Sequence, residues 1–155
     1  APGACLECRV CRNGKLTMRC LLFALLSAIT LPALAAAPEP MSSDPVRDRD
    51  HPPAVVELTI TSAGKRMPGH IYIANGPGPH PTVVLLHGFP GNEKNLDVAQ
   101  ALRRAGFNVV FFHYRGAWGA EGGYRITQLP DDVSAVLACL RTPENAGRLR
   151  INVDK

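Results

Sequence analysis

The sequence predicts an α/β domain over residues 55–155, in which an antiparallel hairpin leads into parallel βαβα units. Two observations carry this. Thr82-Val83-Val84-Leu85-Leu86 is a continuous apolar run, which suits a strand covered on both faces as in a parallel sheet. A second such run, Phe107–Phe112, lies between two helical patterns. Strand, helix, strand, helix is the order of a parallel crossover.

The hairpin comes first. Val56–Thr61 alternates and is rich in β-branched residues, so it reads as a strand. His70–Ala74 reads as its partner, with Ser62-Ala63-Gly64-Lys65 as the turn between. The loop Asn75–Pro81, rich in Gly and Pro, then leads to the strand Thr82–Leu86.

A first helix is expected from Glu93 to Ala105, capped by Asn92 and stopped by Gly106. Leu96, Ala99, Leu102 and Ala105 share one face, and Arg103 and Arg104 suit the negative end of the helix dipole. A second helix is expected from Pro130 to Leu140, with Asp131 and Asp132 near its positive end. Val133, Val136, Leu137 and Leu140 form the i, i+3, i+4, i+7 stripe that packs on a sheet.

The Thr82–Leu86 strand runs directly into His87-Gly88-Phe89-Pro90-Gly91. Gly88 and Gly91 supply backbone freedom there, while Pro90 fixes φ and removes a donor. A backbone N–H at such a strand end can point at developing negative charge, as one half of an oxyanion hole does.

From about Val55 to Lys155 the chain resembles the α/β-hydrolase family. His87-Gly88-Phe89-Pro90-Gly91-Asn92 is similar to the family's third strand exit and oxyanion loop. The segment Phe107–Gly116, with its Tyr114-Arg115-Gly116 turn, is similar to the fourth strand and the turn closing it. The two turns read most like the dienelactone-hydrolase and prolyl-oligopeptidase-like branches. The resemblance implies hydrolysis of an ester, amide or related acyl bond of a small molecule, with no cofactor.

By the same resemblance, the Phe89 backbone N–H donates to the oxyanion, and His87, Gly88, Pro90 and Gly91 shape the loop. The family's serine in Gly-x-Ser-x-Gly, its acid and its histidine come later in order than Ile151-Asn152-Val153-Asp154-Lys155, which is similar to the link before the fifth strand. None of the three is therefore expected within residues 1–155, and this polypeptide alone is expected to lack triad-dependent activity. In the family's strand order the third strand lies between the fourth and the fifth, so here it is expected at an apolar sheet edge. The alternative is a non-catalytic exported binding protein on a shortened hydrolase scaffold.

Tyr114 and Trp118 sit at the carboxyl end of a predicted parallel strand, where open α/β sheets place ligands, and are candidate pocket walls. Ser134 falls inside a predicted helix rather than on a strained strand-to-helix turn, so it is not expected to be a nucleophile. Asp131 and Asp132 read as helix N-terminal charge. His51, His70, His80 and His113 have no motif around them.

The net charge is +4, but Arg9, Arg12, Lys15 and Arg19 against Glu7 account for most of it within residues 1–35. No Lys/Arg stripe with interleaved aromatics follows, which argues against nucleic-acid binding. Met18-Arg19 precedes a mostly apolar run of about a dozen residues, then Pro32 and the small residues Ala33-Leu34-Ala35-Ala36. This is the layout of a signal peptide over 18–35, so an exported protein with no lasting membrane anchor is expected. Residues 1–17 read as translated upstream sequence, and 36–54, rich in Pro, Ser and charge, as a flexible linker.

Cys5, Cys8 and Cys11 have metal-ligand spacing but lack a fourth ligand, so no metal site is expected. Beyond the leader only Cys139 remains, on the apolar side of a helix, where it reads as a small buried hydrophobe.

Overall fold

The computed structural model describes residues 39–89 and 91–154. The expected leader, the Cys5, Cys8 and Cys11 triplet and Pro90 lie outside the described residues. The hairpin is longer than its alternation suggests: β1 spans Ala54–Ser62 and β2 spans Lys65–Ile73. They pair antiparallel from Ala54↔Ile73 to Ser62↔Lys65. Ala63 and Gly64 form the two-residue turn with φ of 47° and 73°, the positive values that match the twist of paired strands.

Strand β2 begins five residues before the expected His70 and runs through Pro68, a residue that lacks a ladder donor. Here the Pro68 carbonyl accepts from the His113 N–H at 3.0 Å, just beyond the Gly69↔Phe112 end of the next ladder. The missing donor therefore falls where that ladder has stopped, and the strand continues.

Strand β3 is Thr82–Leu85 and β4 is Asn108–Phe112. The sheet order is β1-β2-β4-β3, with β2 and β4 antiparallel and β3 and β4 parallel. Every residue of β4 is buried, as its central position requires. By contrast, β3 lies at an edge and its residues are only partly buried, so the expectation of a strand covered on both faces is corrected. An isolated parallel bridge, His80↔Ile151, flanks its amino end.

Helix α1 runs from Leu96 to Arg104, three residues later than expected at its start. Asn92 is not its cap. The flanking residue is Asn95, left-handed at φ 50° and without a side-chain cap bond, because residues 92–95 are used to bring the chain out of the β3 loop. On its expected apolar face only Ala99 is buried. A 3-10 turn at Ile126–Gln128 leads into α2, Leu129–Leu140, and Thr142 then caps a short helix α3, Pro143–Arg148.

The main core lies between α2 and one face of the sheet. Val136 and Leu140 pack there with Leu58, Ile60, Ile71, Val110 and Phe112. Val109 and Phe111 alternate to the opposite face, the side that α1 covers. Asn108 opens β4 fully buried. Its Oδ1 accepts from Ala74 N at 2.9 Å and its Nδ2 donates to Leu149 O at 2.9 Å, tying β2, β4 and the chain after α3 together.

Composition predicts a flexible linker over 36–54. In the structure, residues 39–53 lie against the domain through side-chain bonds. Arg103 Nη2 and Arg104 Nε donate to Asp44 Oδ1 at 2.6 and 3.2 Å, and Asn75 Nδ2 donates to Val46 O at 2.9 Å. No helix among the described residues is long and apolar enough to cross a membrane.

Candidate functional site

The site is built where β3 and β4 end side by side. His87 follows β3 and is buried, with its Nδ1–H donating to Gly88 O at 2.9 Å. A carbonyl only accepts, so this bond places the imidazole proton on Nδ1. The ring lies edge-on to Tyr114, centroids 4.7 Å apart, and 5.3 Å from His113. His87 thus wedges the β3 exit against the β4 exit.

Gly91 closes the same turn with φ 88°. A Cβ there would stand 2.8 Å from both His87 Nδ1 and Trp118 Nε1. Only glycine fits, for both conformational and steric reasons. Phe89 projects outward, 77% exposed, with its ring 5.1 Å from that of Tyr124. Among the described residues its backbone N–H has no hydrogen-bond partner. The arrangement therefore offers one unused donor at the carboxyl end of a parallel strand, held by a buried imidazole behind it.

The two candidate pocket walls separate. Trp118 is 56% exposed and lies beside Gly91. Tyr114 is 4% exposed and belongs to the core, its ring edge-on to Phe112 at 5.0 Å. Burial pushes its phenol pKa up, with Tyr124 and Asp132 adding to the shift. Tyr114 is too deep to wall a pocket, because two-residue alternation beyond β4 turns it to the α2 side with Phe112.

Behind the loop sits an ion pair that the sequence reading missed. Asp132 is fully buried, and its Oδ1 accepts from Arg115 Nε while its Oδ2 accepts from Arg115 N at 3.2 Å. The expectation that Asp132 is merely helix N-terminal charge is corrected: one carboxylate holds both the main chain and the side chain of the Tyr114-Arg115-Gly116 turn. Arg115 Nη2 also reaches Gln128 O at 3.4 Å. Asp131 is exposed, as a solvated helix-terminal charge should be. The far end of the turn is tied to the hairpin, where Arg66 N donates to Glu121 Oε2 at 2.9 Å.

His70 and His113, without any motif in sequence, come together with His87 around Phe111. Lys94 lies over the same ring, 6.0 Å from its centroid. Burial, then His87, Lys94 and His70, push the His113 pKa down to about 4. His70 is lowered by burial and by Lys94. The His113 imidazole is therefore neutral at physiological pH. The meeting of these imidazoles follows from topology, since β2, β3 and β4 are neighbours only in space, and no local pattern signals it.

Ser134 Oγ donates to Pro130 O at 2.8 Å within α2, which occupies the hydroxyl on the helix's own carbonyl. Cys139 is partly buried, with its sulfur 3.4 Å from Asn145 Nδ2. No group of His, Cys, Asp and Glu among the described residues has the arrangement of a metal site.

No family model matches the chain. Solved structures do. An esterase from Pyrococcus furiosus is 18% identical with a TM-score of 0.51, the alignment covering 62% of this chain and 39% of that one. The chain has part of the α/β-hydrolase fold. An α/β serine hydrolase without a lid from Xanthomonas campestris aligns over 56% of this chain and 44% of its own, at 22% identity and a TM-score of 0.47. An α/β serine hydrolase homologue from Coxiella burnetii gives 20% identity, 55% and 44% coverage, and a TM-score of 0.48. This α/β-hydrolase-like chain spans less than half the length of each.

Proposed function

We propose that residues 55–155 supply the oxyanion side of an exported serine hydrolase that cleaves an ester, amide or related acyl bond of a small molecule. The supporting observation is the Phe89 N–H at the exit of β3, without a partner among the described residues, backed by buried His87 and closed by Gly91. In this reading a serine oxygen adds to the acyl carbon and its proton passes to a histidine. The carbonyl oxygen then gains the negative charge, and Phe89 N–H donates to it. The serine, the histidine and its carboxylate partner lie outside residues 39–154. Catalysis needs no cofactor beyond these groups.

The test compares loss of the ring together with the donor against loss of the ring alone. In the intact enzyme, Phe89→Pro removes the N–H and lowers kcat by roughly 10²–10³, whereas Phe89→Ala keeps the N–H and has a far smaller effect on kcat. Equal losses from both substitutions would refute a backbone role. Reading the coding frame past Lys155 checks the other half. A strand and Gly-x-Ser-x-Gly within about fifteen residues are expected, and a stop codon there removes the enzyme reading.

A further inference from the structure

Residues 39–53 form a strap along the outer part of the domain, far in sequence from the elements that hold it. At one end Asp44 is gripped by Arg103 and Arg104 from the last turn of α1. At the other, Asp48 N donates to Asn75 Oδ1 at 2.8 Å, Gly76 N donates to His51 O at 2.9 Å, and Arg150 Nη2 donates to Pro52 O at 3.0 Å. Between these anchors Val46 turns its side chain to solvent, 94% exposed, while its carbonyl accepts from Asn75 Nδ2. Beside the strap is a cavity of about 440 Å³, walled by the strap, the start of β1, the end of β2 and α1.

We infer that this cavity is a binding site for a small organic carboxylate with a flat apolar body. Its volume lies within the range of small-molecule clefts. Pro45, Val55 and Tyr72 supply apolar walls, with Tyr72 the aromatic residue among the lining. Of the charged residues lining the cavity, Arg47 and Arg103 stand against Asp44, an excess of one positive charge. Among the described residues no carboxylate pairs with Arg47. Arg103 already holds one carboxylate, that of Asp44 at 2.6 Å, and donates from Nε to Gln100 Oε1 at 2.8 Å. A second carboxylate entering beside it meets Arg47, whose planar fork suits such a group. The apolar walls disfavour a fully hydrated inorganic anion, and the positive excess disfavours a cation. This site is separate from the Phe89 loop, so its fate does not depend on the hydrolase reading.

The test is an amide NMR titration of the full chain with benzoate. Benzamide serves as the neutral match in shape, and acetate as a carboxylate without a ring. Benzoate is expected to shift the amides of Tyr72, Asn75 and Arg103 saturably, with a Kd on the order of 1 mM. Arg47→Gln should weaken that binding about tenfold. Arg47 is exposed and carries no anchor of the strap, so this variant keeps the fold, which its otherwise unchanged spectrum verifies. Tyr72→Leu should weaken benzoate while leaving its charge recognition in place. The proposal is overturned if benzoate gives no saturable shift, if benzamide or acetate binds as tightly as benzoate, or if Arg47→Gln binds benzoate like the parent.

Discussion

Asp132 holds Arg115 by two groups at once, accepting from its guanidinium Nε and from its backbone N–H. Both residues are buried, so removing one leaves the other as an uncompensated group in the interior. Asp132→Ala is expected to destabilise the fold by about 3–5 kcal/mol, read from urea unfolding. The double variant Asp132→Leu with Arg115→Met is expected to recover most of that loss, because no unpaired charge then remains. If the double variant were as unstable as the single one, the pair would be acting through something other than its charges.

Gly116 and Gly119 both have positive φ, 77° and 87°, but differ in their surroundings. A Cβ on Gly116 would run into the backbone of Gly123 and Tyr124, whereas nothing stands within 4 Å of one on Gly119. Gly119→Ala is expected to cost only the left-handed conformation, about 1–2 kcal/mol. Gly116→Ala adds overpacking of about 1–3 kcal/mol, and it displaces the loop that carries Trp118 to the side of Gly91. Thermal melts of the two variants side by side measure the difference.

Acid should weaken the fold through His113 and His70, both lowered by burial. His113 titrates at about 4 in the folded protein against an ordinary 6.5, and His70 is also lowered. Between those two values the unfolded chain binds a proton that folded His113 refuses. The contribution to stability is therefore intact above 6.5, declines as pH falls through the window, and changes no further below 4. The urea midpoint should drop on acidification, and His113→Gln should flatten that drop. An unchanged slope in the variant would remove His113 as the cause.

Among the described residues, one side of the β3 backbone has no strand neighbour beyond the His80↔Ile151 bridge. Its sequence, Thr-Val-Val-Leu, combines β-branched and apolar residues with no charge to blunt that edge. Residues 36–155 are expected to self-associate with rising concentration in sedimentation velocity. A monomer throughout the range would show that the edge is protected.

Elements with a strong period were legible in the sequence, and long-range pairings were not. The Val133, Val136, Leu137, Leu140 stripe places α2 to within a residue, because a helix face repeats locally. The turn at Ser62-Ala63-Gly64-Lys65 was equally plain, and the structure narrows it to Ala63-Gly64. Asp132 looked like helix-end charge because its partner lies 17 residues away and no local rule connects the two. Asn108 gave a usable sign: a polar residue at the head of a Val/Phe strand must find partners if buried, and it finds Ala74 and Leu149. Thr142-Pro143-Glu144 likewise carried a helix start that the reading passed over, and it opens α3. The strap deceived by composition, since its contacts come from Arg103, Arg104, Asn75 and Arg150 rather than from apolar residues of its own.

The strand order also sets a schedule for synthesis. Strand β3 leaves the ribosome before β4, yet among the described residues β4 is its only neighbour within the sheet. The hairpin can close as soon as it emerges, because its partners are joined by two residues. Strand β3 must wait while α1 and β4 are made and β4 docks on β2. The nascent chain thus exposes Thr82–Leu85 during that interval, which makes this segment the point where a holding chaperone has most to cover. The loop bearing Phe89 takes its final shape only after that wait ends.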